Sequence, residues 1–245
     1  MTPDFSRPID ISIPLSSDGS SPSAWYVDPM KIEIVRAGRF VGSVKEGGST
    51  NFRNITFNPH GNGTHTECVG HIAQEVFSLN QHLKTFHFPA QLISITPEMM
   101  NEDNELSKKG DFIITKTQIQ QAFQTSSTKA LVVRTLPNTK DKLHRNYSNT
   151  NPCYFHPDAI DYIIQQGIEH LLVDLPSIDR EEDEGKLLAH HRFWEYPENT
   201  AFHRTITEFV FVSDEIEDGF YFLNLMITSM ENDASPSKPV LYPYL

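Results

Sequence analysis

Residues 156–174 read HPDAIDYIIQQGIEHLLVD, and their pattern decides the fold class. The fixed φ of Pro157 suits the first turn of a helix. Ile160, Ile163 and Ile164 then share one helical face, and Gly167 suits the turn that ends it. Residues 156–167 therefore predict a helix. Residues 168–174 change at once to a mostly apolar run ending on Asp174, which predicts a buried strand. A helix that hands over to a buried strand with acids at its carboxyl end is an α/β unit with ligand potential at the strand tip.

Reading outward, residues 130–134 (ALVVR) predict a second strand buried on both faces. Alternating or β-branched runs at 9–15, 31–36, 52–57, 90–96, 204–212 and 220–227 predict further strands, with a last one at 240–242. Residues 115–123 (TKTQIQQAF) open on a threonine cap and space Ile119 and Phe123 four apart, so they predict a short helix. Residues 78–88 and 187–194 predict two more. Residues 98–110, 137–154 and 180–185 are polar or charged and read as solvated excursions. Without repeats or a linker, the chain reads as a single domain over 1–245.

Its 245 residues are enough to bury a sizeable core, and 38% of them are hydrophobic. A net charge of −12 argues against nucleic acid and anionic membranes as partners. The cysteines are Cys68 and Cys153. One disulfide is conceivable, but so few thiols fit a reducing compartment more simply. Residues 1–10 lack the apolar core of a secretory signal, and nothing approaches the roughly 18 apolar residues of a membrane span. The expected location is the cytoplasm.

The chemistry concentrates in residues 60–71, HGNGTHTECVGH, which hold three histidines, one acid and one cysteine. Such side chains bind metals or move protons. Three glycines make a helix costly here. On an extended strand His65 and Glu67 point to one face, and His71 keeps that parity if the strand runs on. The stretch thus reads as a strand or strand-like loop presenting His65, Glu67 and His71 to a shared cavity. Spacing alone names neither a metal nor a reaction. Elsewhere, Glu208 stands alone among β-formers, where burial is costly without a partner. The loop aromatics Trp25 and Tyr26 either line a pocket or cover the edge of the core.

Together these segments resemble the metal-dependent cyclase-like hydrolases, the group that includes bacterial kynurenine formamidase and isatin hydrolase. That family carries the motif H-x-G-T-H-x-D-x-P-x-H. Gly63-Thr64-His65 resembles its G-T-H core, and His71 falls on its last histidine. Residues 9–15 are similar to the opening strand, 130–135 to a strand ending in Arg-Thr, and 174–179 to a D-x-P-S-x-D turn. His190-His191 resembles the family's histidine pair, Thr207-Glu208 its late glutamate, and residues 233–240 its closing D-x-S-P segment. The chain departs where the first motif histidine falls on Gly61, with His60 displaced by one, and where Glu67 and Val69 replace aspartate and proline.

The resemblance implies an α/β fold with a mixed, barrel-like central sheet and helices packed outside, assembled as a homodimer or homotetramer. It implies a divalent metal, zinc or manganese foremost, held by His65, Glu67, His190 and Glu208, with His190 chosen as the first of its pair. The displaced histidine favours one metal over two, unless His60 or Cys68 swings in. His71 is the candidate general acid/base, or else a group that orients a ligand. His60, His191 and Cys68 are further candidates for binding or orienting the metal, with His203 and Asp174 weaker ones. Trp25 and Tyr26, with Trp194 nearby, are expected at the pocket for a small-molecule substrate. The implied reaction is hydrolysis of a C–N amide bond by metal-activated water, as in a kynurenine formamidase. A cyclic amide or lactone hydrolase, and a ligand-binding relative without turnover, are the alternatives.

Overall fold

The buried strands close on one another. In the computed structural model, which describes residues 2–104, 106–124 and 127–245, the main sheet contains β1 (Ile9–Asp10), β2 (His65–Glu67), β3 (His87–Ile95), β4 (Ala130–Thr135), β5 (His170–Val173), β6 (Thr205–Glu208), β7 (Gly219–Ile227) and β8 (Ala234–Pro243). Their order is β1-β8-β7-β3-β4-β5-β6-β2, and β8 also pairs with β2. That last pairing turns seven strands into a barrel, with β1 added on the flank of β8. Strands β3 to β6 run parallel, and the other pairings are antiparallel. The expected mixed, barrel-like sheet is present.

Alternation along the parallel strands explains the layering. On β4, Leu131 and Val133 face outward into an apolar cluster with Ile119, Ile160, Ile163 and Phe193. Ala130 and Val132 face the barrel interior with Leu92, Leu172, Leu223 and Leu241. Among the described residues four α-helices accompany the sheet: α1 (Leu79–His82), α2 (Lys116–Ala122), α3 (Pro157–Gln165) and α4 (Leu188–Trp194). Helix α2 starts at Thr115 in a capping box with Gln118, as its sequence predicts. Helix α3 starts after His156, whose Nδ1 accepts from the Asp158 N–H, and buries Ala159, Ile160 and Ile163. Truncating Ile163 to alanine would cost about 2–5 kcal/mol.

Three readings need correction. The strand expected over 9–15 is regular only at Ile9–Asp10, because the segment changes partners: the Ile11 N–H donates to Pro239, while its carbonyl accepts from Phe211. The stretch 137–154 is not wholly solvated, since Lys142 is buried beside Asp174. The excursion 98–110 contains the short strand Glu98–Met99, and its Glu105 lies outside the described residues.

Candidate metal centre

The site lies at the carboxyl end of the parallel strands, where α/β sheets usually place ligands. Strand β2 sits between β6 and β8, pairing His65 with Glu208 and Glu67 with both Ile206 and Ala234. His65, Glu67 and Glu208 are all buried. On the opposite face of β2, the Thr66 and Thr207 hydroxyls meet at 2.8 Å. Two neighbours fix the entry to the strand. Gly63 has φ +101°, a backbone conformation that side chains rarely adopt and glycine takes freely. The Thr64 hydroxyl donates to the Phe209 carbonyl at 2.5 Å and accepts from the Ile13 N–H at 2.8 Å, tying β2 to the end of β6.

Four side chains bring donor atoms together in pairs, each carboxylate turning one oxygen towards His65 and the other towards His190. His65 Nε2 lies 3.4 Å from Glu208 Oε2 and 4.0 Å from Glu67 Oε2. His190 Nε2, from α4, lies 3.1 Å from Glu67 Oε1 and 3.8 Å from Glu208 Oε1. Ligands about 2.0–2.2 Å from a tetrahedral ion stand roughly 3.4 Å apart. His65 Nδ1 donates to the Gly63 carbonyl at 2.9 Å, so in a neutral ring Nε2 carries a lone pair aimed at carboxylates. Lone pairs so opposed call for a cation or a proton between them. Three of the atoms concerned, His65 Nε2, Glu67 Oε2 and Glu208 Oε1, are buried without a hydrogen bond. Among the described residues, the sets whose donor atoms all lie within 4.8 Å of one another are His60, His65 and Glu67; Glu67, His71 and His190; and His60, His71 and Asp233, with Glu208 beside them; imidazoles and carboxylates so gathered fit a divalent cation.

The electrostatics agree. Burial pushes the Glu208 carboxyl up, and the Glu67 charge adds to it. Burial also opposes ionisation of Glu67, but His71, His190 and His60 hold its carboxyl well below the usual range. For His190 burial opposes the charge, and the Asp179 hydrogen bond raises it well above the ordinary imidazole value. Asp179 takes three hydrogen bonds: from His190 Nδ1 at 2.6 Å, the His190 N–H at 3.0 Å and the Ala189 N–H at 2.8 Å. It thereby turns His190 Nε2 towards Glu67. Asp179 has no assigned role in the sequence reading. Its signal was its place at the end of the D-x-P-S-x-D turn.

His60 belongs to the cluster, although it sits one residue out of the motif register. The Asn58 side chain accepts from the N–H groups of His60 and Gly61, and the Asn62 side chain accepts from the Asn58 N–H. The resulting turn brings His60 Nδ1 to 3.0 Å from Glu67 Oε2 and Nε2 to 2.7 Å from Asp233 Oδ2. Burial works against a charged His60, but these two carboxylates hold it up at about 10. Position 61 itself is closed to a side chain, since a Cβ on Gly61 would stand 2.5 Å from Val27. Asp233 is a second residue whose role the sequence reading did not assign.

His71 arrives by a different route from the one expected. Strand parity stops at Glu67, and a 3-10 turn, Val69–His71, carries the ring back. Its Nδ1 lies 3.7 Å from Asp233 and 3.8 Å from Glu67, at the half-exposed mouth. A cleft of about 780 Å³ opens there, lined by Trp25, His60, His71, Arg180, His190 and Glu208 among others.

Several candidates lie elsewhere. Adjacent residues on a helix point apart, so His191 turns from the cluster, with Nδ1 donating to the Tyr196 carbonyl at 3.1 Å. Cys68 follows β2 and leads into the 3-10 turn; its thiol donates to the Phe77 carbonyl, and burial pushes it up to about 12. Both cysteines are free. Tyr26 is exposed and donates to Asn149 at 3.0 Å. Trp194 is buried beneath His190 rather than lining the cleft, with ring centroids 5.4 Å apart. His203 is exposed, and Asp174 pairs with Lys142.

The Cyclase family model matches residues 9–180, most of the chain. The chain belongs to the Cyclase family. It is 26% identical over 243 residues to the kynurenine formamidase of Bacillus anthracis, covering 97% of this chain and 98% of that one. The kynurenine formamidase of Bacillus thuringiensis (strain Al Hakam) is 27% identical over 240 residues, covering 96% and 97%. Among solved structures, isatin hydrolase A from Labrenzia aggregata superposes with TM-score 0.68 at 14% identity, covering 96% and 93%. A potential metal-dependent hydrolase with cyclase activity gives TM-score 0.65 at 16% identity, covering 97% and 99%. These structures establish the shared Cyclase fold. No helix among the described residues is long and apolar enough to cross a membrane.

Proposed function

We propose that this Cyclase-family chain is a metal-dependent hydrolase that cleaves the C–N amide bond of a small aryl substrate, an arylformamide foremost. The observation that carries this reading is the gathering of His60, His65, Glu67, His71 and His190 beside Glu208, where His65 Nε2, Glu67 Oε2 and Glu208 Oε1 are buried without a hydrogen bond. End-to-end similarity to kynurenine formamidases supports the choice of bond. Imidazole and carboxylate donors suit zinc or manganese. Such an ion, when bound, polarises a carbonyl and supplies nucleophilic water near neutral pH.

The remaining roles belong to the chain. His65, Glu67, His190 and Glu208 would hold the ion, and His60 is placed to add a donor. Asp179 fixes the His190 ring. His71, at the cleft mouth, takes the proton from the attacking water and returns it to the leaving nitrogen. Asp233 orients both His71 and His60. The Trp25 side chain, on the cleft wall, packs against an aryl group. Two free thiols suit work in a reducing cytoplasm.

Metal analysis of the purified protein should find a divalent ion, and chelation should abolish hydrolysis of aryl-formamides until metal is restored. A panel that adds cyclic amides and lactones ranks the substrates. Metal-free protein that hydrolyses formamides at an unchanged rate would overturn the proposal.

A further inference from the structure

A second cleft, of about 350 Å³, shares no lining residue with the cleft at the metal centre. Pro97, Phe112, Leu136, Pro137, Pro152 and Leu175 make its walls largely apolar. Tyr147 connects the two regions. It lines this cleft, its ring meets Phe209 edge to face at 5.7 Å, and Phe209 lies 6.0 Å from the His65 ring. The Tyr147 backbone is held on both sides, its N–H donating to the Ser23 carbonyl at 2.7 Å and its own carbonyl accepting from the Thr150 hydroxyl at 2.7 Å.

Most polar groups on these walls are already engaged. Lys142 Nζ donates to Thr135 and Asp174, and the Thr135 hydroxyl donates to Asp174. Arg145 turns Nε and Nη2 to Asp141 and holds its guanidinium 5.3 Å from the Tyr147 ring centroid. Arg145 Nη1 and the Tyr147 hydroxyl, by contrast, meet no acceptor among the described residues, although Tyr147 is only 3% exposed. Burial pushes the Tyr147 phenol up, so it keeps its proton and can donate. A buried donor is costly unless something accepts from it. Charge narrows what that is. The cations on the walls, Lys142 and Arg145, are balanced by Asp174 and Asp141, so a carboxylate would bring an unmatched anion. We propose that this cleft is a second ligand site, for a neutral aromatic compound bearing a carbonyl. Its ring lies on the apolar walls, and its oxygen accepts from the Tyr147 hydroxyl.

Chemical-shift titration of the isotope-labelled full chain with acetophenone tests this, since that probe has the ring and the carbonyl but no amide or ester bond. The amides of Thr150, Asn151 and Leu175 should shift and saturate. Tyr147→Phe keeps the ring against Phe209 and removes the donor, so it should weaken binding by about fivefold. Phe112→Ser alters an exposed wall residue and should also weaken binding by about fivefold, which decides the matter if Tyr147→Phe does not fold. Benzoate should bind about tenfold more weakly than acetophenone. Shifts confined to the metal cleft, shifts that do not saturate, binding indifferent to the variants, or a preference for benzoate would each overturn the proposal.

Discussion

Two buried polar clusters stand near the carboxyl ends of the parallel strands, and they differ in completeness. In one, Lys142 Nζ donates to Asp174 at 2.7 Å, to the Thr135 carbonyl at 2.6 Å and to the Thr135 hydroxyl at 2.9 Å. Asp174 also accepts from the Thr135 N–H and hydroxyl. Burial pushes its carboxyl up while Lys142 pulls against it, and cation and anion match within the protein. In the other, His65 Nε2, Glu67 Oε2 and Glu208 Oε1 are buried without a hydrogen bond, with the His60 ring 3.0 Å from the Glu67 oxygen. Orphaned buried polar atoms are expensive. The matched cluster needs nothing from outside, whereas the unmatched one is shaped for something the chain does not contain.

Variants can break or sharpen that contrast. The largest effect is expected at Glu67→Ala, which should remove the bound metal and lower turnover by about a thousandfold or more. Metal analysis beside a formamide assay reads both. Next, His71→Ala should lower kcat by about 10²–10⁴ while the metal stays bound. Loss of metal in that variant would move His71 from proton transfer to ligation. Third, Lys142→Ala should destabilise the fold by about 3–5 kcal/mol, because it strands Asp174, with metal content per folded molecule unchanged. Denaturant titration measures it, and a metal-depleted but fully stable variant would erase the distinction between the clusters. Fourth, Asp179→Asn should weaken metal affinity by about 10–100-fold, read by competition with a chelator.

The smallest effect concerns Asp111, which accepts from Arg180 Nε at 2.9 Å and the Tyr154 hydroxyl at 2.7 Å. Burial pushes its carboxyl up, but Arg180 and its other donors bring it down to about 2 from an ordinary 3.8. A depressed carboxyl contributes stability that is complete above the unfolded value and lost as pH falls through the folded one. The Tm gap between wild type and Asp111→Asn should therefore be full above about pH 4 and shrink towards pH 2.

Much of this was legible residue by residue where the information is local. The two-residue spacing of His65 and Glu67 is enough to place both on one face of a strand. The Pro157 start, isoleucine face and Gly167 stop are enough for α3. Features that rest on distant partners were not legible. Lys142 looks solvated in a polar loop because its acid, Asp174, is 32 residues away. His60 looked misplaced because its approach depends on an asparagine turn and on Val27 filling the space beside Gly61. Strand parity does not reveal the route of His71, because a 3-10 turn breaks it. Barrel closure needs β8 to pair with β2 across more than half of the chain, which no window of sequence reports.

That closure has a consequence for synthesis. Strand β2, with two of the four site residues, is flanked by β6 and β8, and β8 begins 167 residues after β2 ends, at Ala234. The Cys68 N–H, at the end of β2, donates to the Asp233 carbonyl just before β8 begins. During synthesis β2 therefore waits with one edge bare until residues 234–236 have been added. A chain cut before residue 233 would have all four site residues and still lack the wall that holds them in place.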